Sequence, residues 1–239
     1  MRRQFLSLAL AASGVATLAA CDFGPDSTYG DSAALTAKVT SVRLDGIGAG
    51  SVTVRGGASK PALARTIQYS GSRPDGPTHR VTGGVLVLSG CGRHCSVSYT
   101  LDLPAGLPVS GDTSNGSVRL TRVGQVNVTT HSGSIQLDGV TGSVTAHTSN
   151  GRIEGRGLSG DAIEARTSNG SISLTPAKPQ SIRAKTTNGS ITLTVPAGPY
   201  QVVAHSSNSG RDIRIPNDPS ARNHLDLTTS NGHITVAQA

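Results

Sequence analysis

The chain of 239 residues carries 21 Lys and Arg against 14 Asp and Glu, a formal charge of +7 that becomes +5 without the two arginines of a 20-residue leader. So mild a surplus argues against dedicated nucleic-acid binding. Aromatic residues make up 3% with no Trp, which removes the stacking faces that a sugar platform or a single-strand reader uses.

Residues 1–20 open Met-Arg-Arg, run without charge from Ser7 to Ala20 and end Leu18-Ala19-Ala20 before Cys21. A basic start, a short apolar stretch and small residues at the cut describe a secretory signal. The stretch is too short to remain as a span across a bilayer core of about 30 Å. Leu-Ala-Ala-Cys resembles the bacterial lipobox, so Cys21 is the expected lipidation site and mature N-terminus. Two or more acyl chains on one residue give stable anchoring. The expected location is extracytoplasmic, lipid-anchored to a bacterial cell membrane. Arg2-Arg3-Gln4-Phe5-Leu6 fits a plain export signal and also a loose twin-arginine pattern. Residues 21–34 read as the lipidated cysteine and a flexible tether, since 22–32 show no periodicity.

Residues 35–104 read as β structure, with short runs such as Ser51–Val54, Val85–Leu88 and Ser96–Leu103. The segment from Asp45 to Val54 looks like a worn copy of the repeat that follows. This region is expected to cap the repeat, with a few antiparallel strands, because a solenoid needs its end covered. Ser70 to Thr78 is a loop by composition. Cys91-Gly-Arg-His-Cys95 lies between two strands, and in an oxidising compartment it reads as a disulfide closing a small loop. A redox dithiol prefers two intervening residues, and a metal set of Cys91, His94 and Cys95 lacks a fourth ligand. No metal and no cofactor is expected.

Residues 105–239 are a seven-copy repeat. Regular copies read Thr113-Ser-Asn-Gly-Ser-Val118, Thr148-Ser-Asn-Gly-Arg-Ile153, Thr167-Ser-Asn-Gly-Ser-Ile172, Thr186-Thr-Asn-Gly-Ser-Ile191 and Thr229-Ser-Asn-Gly-His-Ile234. Thr130-His-Ser-Gly-Ser-Ile135 lacks the asparagine, and the copy from Ser206 to Ile213 carries an insertion. Their glycines fall at 116, 133, 151, 170, 189, 210 and 232. Alternation of apolar and polar residues on both sides of each glycine predicts half-buried strands. Two architectures remain, both all-β: a parallel β-solenoid with an N-terminal β cap, or an antiparallel meander closed by Asn-Gly hairpins. Identical residues at identical positions favour the solenoid, as does a third recurring element such as Val140-Thr-Gly-Ser-Val144. Stacked asparagines 115, 150, 169, 188 and 231 would then form a hydrogen-bonded ladder.

The cysteine turn, the strand ending Leu101-Asp-Leu-Pro-Ala-Gly106 and the tandem copies together resemble the bacterial candidate-adhesin family. Its members are exported β-strand-repeat proteins of unknown function, often lipoproteins. The resemblance covers roughly residues 35–236 and implies no catalytic residues.

The 14 acids are scattered, and no two fall on neighbouring copies of one column, whereas glycosidases need a carboxylate pair roughly 5 to 9 Å apart. One constellation stands out. His147, Arg166 and Lys185 each stand four residues before a repeat glycine, with Arg183 on the strand of Lys185 and His205 in the irregular copy. Stacked, they make a basic stripe able to draw a polyanion such as a wall polymer or anionic headgroups. The same residues also describe an ordinary solvated face in which Glu164 neutralises Arg183. The leading expectation is a non-catalytic surface lipoprotein that presents a rigid scaffold to the envelope. Its partners are the membrane, through the lipid, and a cell-wall polyanion or an envelope protein. The alternatives are a polysaccharide-acting β-helix enzyme, and an accessory or sensor subunit in an envelope-stress response.

Overall fold

The protein, seen in a computed structural model, is described over residues 27–239; residues 1–26 lie outside the described residues, and with them the leader and Cys21. The N-terminal third contributes β1 (Ser27–Ala34), β2 (Ser41–Ala49), β3 (Val52–Gly56), β4 (Ala62–Tyr69), β5 (His79–Thr82), β6 (Val85–Ser89) and β7 (Cys95–Leu103). The next repeats supply β8 (Val109–Asn115), β9 (Val118–Thr121), β10 (Val126–Ser132), β11 (Ile135–Asp138), β12 (Val144–Asn150) and β13 (Ile153–Leu158). They continue with β14 (Ala162–Asn169), β15 (Ile172–Pro176), β16 (Ser181–Asn188) and β17 (Ile191–Val195). The chain closes with β18 (Tyr200–Ser206), β19 (Arg211–Ile213), β20 (Asn223–Asn231) and β21 (Ile234–Gln238).

Each repeat sends its first strand into a ten-stranded sheet, turns at its glycine, and sends its second strand into an eleven-stranded sheet. Neighbouring repeats pair in parallel and in register. Val144 meets Ile163, Ala146 meets Ala165 and Thr148 meets Thr167 before the corner, and Ile153 meets Ile172 after it. The Asn-Gly step is therefore a corner between two sheets and not a hairpin loop. The solenoid holds and the meander is excluded.

Period-two alternation places one column of each residue type in the core. Ile135, Ile153, Ile172, Ile191 and Ile234 are fully enclosed, as are Ala146, Ala165 and Ala184 on the facing sheet. Each fully buried isoleucine contributes about 1.5–3 kcal/mol relative to exposure. The third element adds one inward residue per rung, seen in Val123, Val140 and Leu158. Its backbone continues the ladder, with Thr141 N–H donating to Val123 O at 3.1 Å and Ser159 N–H to Val140 O at 2.8 Å.

The corner explains why threonine and glycine recur. Thr148, Thr167, Thr186 and Thr229 are buried, and each donates its hydroxyl to the glycine carbonyl of the neighbouring rung at 3.0–3.1 Å. That same oxygen lies where the next corner would place a Cβ: one on Gly151 would overlap the Gly133 carbonyl. Outside the corner, Asn169 donates to Asn150, Asn188 to Asn169, and Asn231 to Asn188 at 2.8–2.9 Å. Asn115 does not join them, because Ser132 occupies the intervening rung; it donates to Gly48 O instead.

Among the described residues nine two-strand rungs stack, and their order departs from chain order at both ends. The worn N-terminal copy is a true rung: β2 and β3 lie directly against β8 and β9. Strands β6 and β7 form a further rung outside it, with the Cys91–Cys95 disulfide (Cα–Cα 6.0 Å) at its corner. The cap expected over 35–104 thus contains two rungs, closed by antiparallel β1, β4 and β5. Strand β1 also corrects the expected tether, since Ser27–Ala34 pairs along its whole length with β4.

At the other end the last repeat, β20 and β21, inserts between β16–β17 and the irregular copy, β18–β19. The irregular corner has Ser209 after its asparagine, and its second strand sets Arg211 beside Ile234. Such a rung fits with one neighbour but not between two, so the intact final copy takes the inner place. The outer edge of β18 is blocked by its own connection: Asn217 Oδ1 accepts from Val202 N–H at 2.7 Å and Asp218 N–H donates to Tyr200 O at 2.8 Å. Blocked edges of this kind prevent open-ended strand pairing.

A polar seal holds the cap. Arg65 grips Asp31 through two 2.7 Å hydrogen bonds and donates to Thr78 Oγ1 at 2.8 Å. The Tyr99 hydroxyl reaches Thr78 O at 2.6 Å. These hydrogen bonds hold the Asp31 carboxyl below its usual value, while burial and then the Arg65 charge lower the His79 imidazole.

Two outcomes test these contacts. Gly151→Ala forces a carbonyl apart and should cost roughly 3 kcal/mol, whereas Gly157→Ala, at φ 61° with no crowded neighbour, should cost about 1 kcal/mol; equal losses in denaturant unfolding would contradict the corner account. Because the Asp31 value is depressed on folding, its contribution is present above the unfolded value of about 3.9 and lost as pH falls through the folded one. Asp31→Asn should therefore flatten the acid limb of a thermal-stability profile below about pH 4, and parallel wild-type and variant limbs would rule this out.

Candidate functional site

The outward face of the ten-stranded sheet gathers the charged residues singled out in the sequence. Parallel register places His147 beside Arg166 and Arg166 beside Lys185 on three successive rungs. Arg183 stands in the adjoining column, between Glu164 and Asp226. His205 does not follow Lys185. The inserted last rung puts Thr228 between them, so the stripe is interrupted.

The charges of the face are largely matched. Glu164 Oε1 lies 2.8 Å from Arg166 and 3.5 Å from His147 Nε2, which finds no aligned hydrogen bond. Arg183 is register partner to Glu164, yet its guanidinium turns the other way and pairs with Asp226 at 3.0 Å. The expected Glu164–Arg183 neutralisation is therefore replaced by two separate pairs. Lys185 has no ion-pair partner among the described residues. These pairs are open to solvent, where each contributes on the order of 0–1 kcal/mol.

Two shallow depressions share Arg183 and Asp226. One is lined by Arg166, Arg183, Lys185, Asp226 and Thr228, and the other reaches Thr145, Glu164, Ser181 and His224. Together they form a trough across four rungs, with fixed cations, carboxylates and hydroxyls repeating at the strand spacing of roughly 4.8 Å. Such a surface can meet an extended, charged or hydroxylated chain at several points. Among the described residues no two carboxylates stand in register on neighbouring rungs, and no three His, Cys, Asp or Glu side chains converge as a metal set.

A second depression lies on the eleven-stranded sheet, lined by Arg119, Gln136, Asp138, Glu154 and Arg156. Leu120, Thr121 and Leu137 complete its lining. Sequence reading passed over both this site and Asp226 as a neighbour of Arg183. The signal for the second existed: Glu164 and Asp226 each precede their corner glycine by six residues. What hid it was the assumption that rungs stack in chain order.

A family model described as Toastrack DUF4097 matches residues 107–237, more than half of the chain. No curated protein matches the sequence. Among solved structures the chain is similar to a candidate adhesin from Parabacteroides distasonis, at 14% identity and TM-score 0.48, over 89% of this chain and 97% of that one. It is also similar to one from Parabacteroides merdae, at 12% and 0.47, over 89% and 96%. A third, from Bacteroides fragilis, stands at 14% and 0.41, over 89% and 97%.

Proposed function

The chain belongs to the Toastrack DUF4097 family, and we propose that it acts as a non-catalytic surface lipoprotein, anchored through Cys21, that holds a rigid β-repeat scaffold against a polyanion of the cell envelope. The observation that carries this reading is the trough on the ten-stranded sheet. Arg166 and Lys185 stand side by side there, with Arg183 next to them, on a backbone that two neighbouring rungs hold in place. A backbone fixed in this way keeps the charges at a constant spacing, so weak contacts repeated along a polymer add up.

The internal carboxylates set the strength. Glu164 and Asp226 cancel part of the positive field, which makes the attraction modest and sensitive to salt. Strand β1 begins at Ser27, so only residues 22–26 separate it from the proposed lipid. Five residues reach at most about 20 Å when fully extended, so an anchor at Cys21 would keep the cap end near the membrane.

Binding to isolated cell wall and to anionic vesicles tests the trough. Changing Arg166, Arg183 and Lys185 to Glu should weaken binding at low salt by at least about tenfold, while Glu164→Gln, which frees Arg166, should strengthen it. Unchanged binding in both variants would remove the trough from the function. In the full chain, Cys21→Ser should abolish acyl labelling and release the protein from the membrane fraction; persistence of either would overturn the anchor.

A further inference from the structure

The five Asn-Gly corners constitute one chemical experiment repeated in different surroundings: Asn115–Gly116, Asn150–Gly151, Asn169–Gly170, Asn188–Gly189 and Asn231–Gly232. Asn-Gly is the dipeptide most prone to spontaneous deamidation, because glycine leaves its backbone nitrogen free to approach the asparagine carboxamide. The solenoid restrains that nitrogen. Gly116 N–H donates to Ser132 O at 2.8 Å, Gly151 N–H to Asn169 O at 3.0 Å, Gly170 N–H to Asn188 O at 2.9 Å and Gly189 N–H to Asn231 O at 3.0 Å. A nitrogen whose proton is held by the next rung cannot turn toward its own neighbour's side chain.

Gly232 differs. Its outer neighbour is the irregular copy, where Ser207 N–H donates to Thr229 O and Asn208 N–H to Ser230 O. With that pairing, Gly232 N–H has no hydrogen-bond partner among the described residues. Asn231 is exposed, and it lies one rung from the end of the stack, where local opening costs least.

We propose that Asn231–Gly232 is the site of a self-modification that ages the C-terminal end of the solenoid. The Gly232 nitrogen attacks Asn231 Cγ, a new C–N bond closes a succinimide, and the side-chain amide departs as ammonia, taking the proton that the nitrogen gave up. Water then opens either carbonyl of the ring, leaving aspartate or isoaspartate. No oxidant, metal or enzyme is needed.

The product disturbs the corner in two ways. Asn231 donates to Asn188 Oδ1 at 2.8 Å and accepts from Asn208 Nδ2 at 2.7 Å. A carboxylate keeps the second contact but sets acceptor against acceptor in the first. Isoaspartate also lengthens the backbone by one carbon at a corner where even a Cβ on Gly232 would overlap the Gly189 carbonyl.

The test is incubation of the full chain at mildly alkaline pH, folded and in denaturant. Peptide mapping reads the amide-to-acid mass change at all five sites, and isoaspartyl methyl transfer labels the rearranged product. Dividing the folded rate by the unfolded rate at each site removes the influence of flanking residues such as His233. The expected ratio at Asn231 exceeds those at Asn169 and Asn188 by about fivefold to tenfold, the factor that one net hydrogen bond is worth. Asn115 is the sharp control: its side chain lacks an asparagine neighbour, yet its Gly116 N–H is held. Equal ratios at all sites, or a highest ratio at Asn115, would overturn the proposal.

Discussion

The carbonyl oxygen of a corner glycine is shared by two demands of the next rung. It accepts that rung's threonine hydroxyl, as Gly151 O does from Thr167 at 3.0 Å, and it occupies the space where that rung's own glycine would otherwise carry a Cβ. Hydrogen bonding and steric exclusion thus act on one atom. The backbone stacks at full strand contact at the corner, and any side chain there would pry the rungs apart. Everything else in the protein is aligned by this point: the isoleucine and alanine columns behind it, the asparagine ladder in front of it, and the two sheets on either side.

That constraint also decides how the stack can end. A rung whose asparagine is followed by serine, with its glycine one place later, accepts one neighbour but not two, and the irregular copy with Ser209 at its corner is displaced to the outside, while the later and intact copy moves in. At the opposite end the seal is of another kind. The inward side of β4 carries Arg65 between Leu63 and Ile67, and this single arginine joins β1 to the Thr78 loop. A half-buried guanidinium paired with a carboxylate is tolerated where an unpaired one would not be. One end is closed by a loop over an edge strand and the other by a charge network.

A scaffold so regular turns sequence changes on its outer columns into surface patterns at constant spacing, without changing the core. On the ten-stranded face those columns hold Glu164, Arg183 and Asp226 in one line and His147, Arg166, Lys185 and Thr228 in the next. Alternation of sign in the first line explains why the second is not simply a basic stripe. Local pairs absorb most of the charge, and what remains is a trough with Lys185 as its unmatched cation among the described residues.

The amino-acid pattern by itself determined the all-β class, the two strands per repeat, the inward and outward residues of each, the terminal disulfide and the column memberships within consecutive regular copies. These are local properties: period two, Asn-Gly, and residue identity at fixed offsets leave little choice to the chain. Tertiary structure alone decided which copies are neighbours. Strand β1 was hidden because its pairing depends on an antiparallel partner beyond the next two strands of the chain, and nothing in Ser27–Ala34 alternates strongly. Asp226 came to face Arg183, and Thr228 to part Lys185 from His205, because a parallel sheet can accept any rung of matching register, whatever its place in the chain. Order along a sequence fixes what a rung contains, whereas fit at the corner selects the rung beside it.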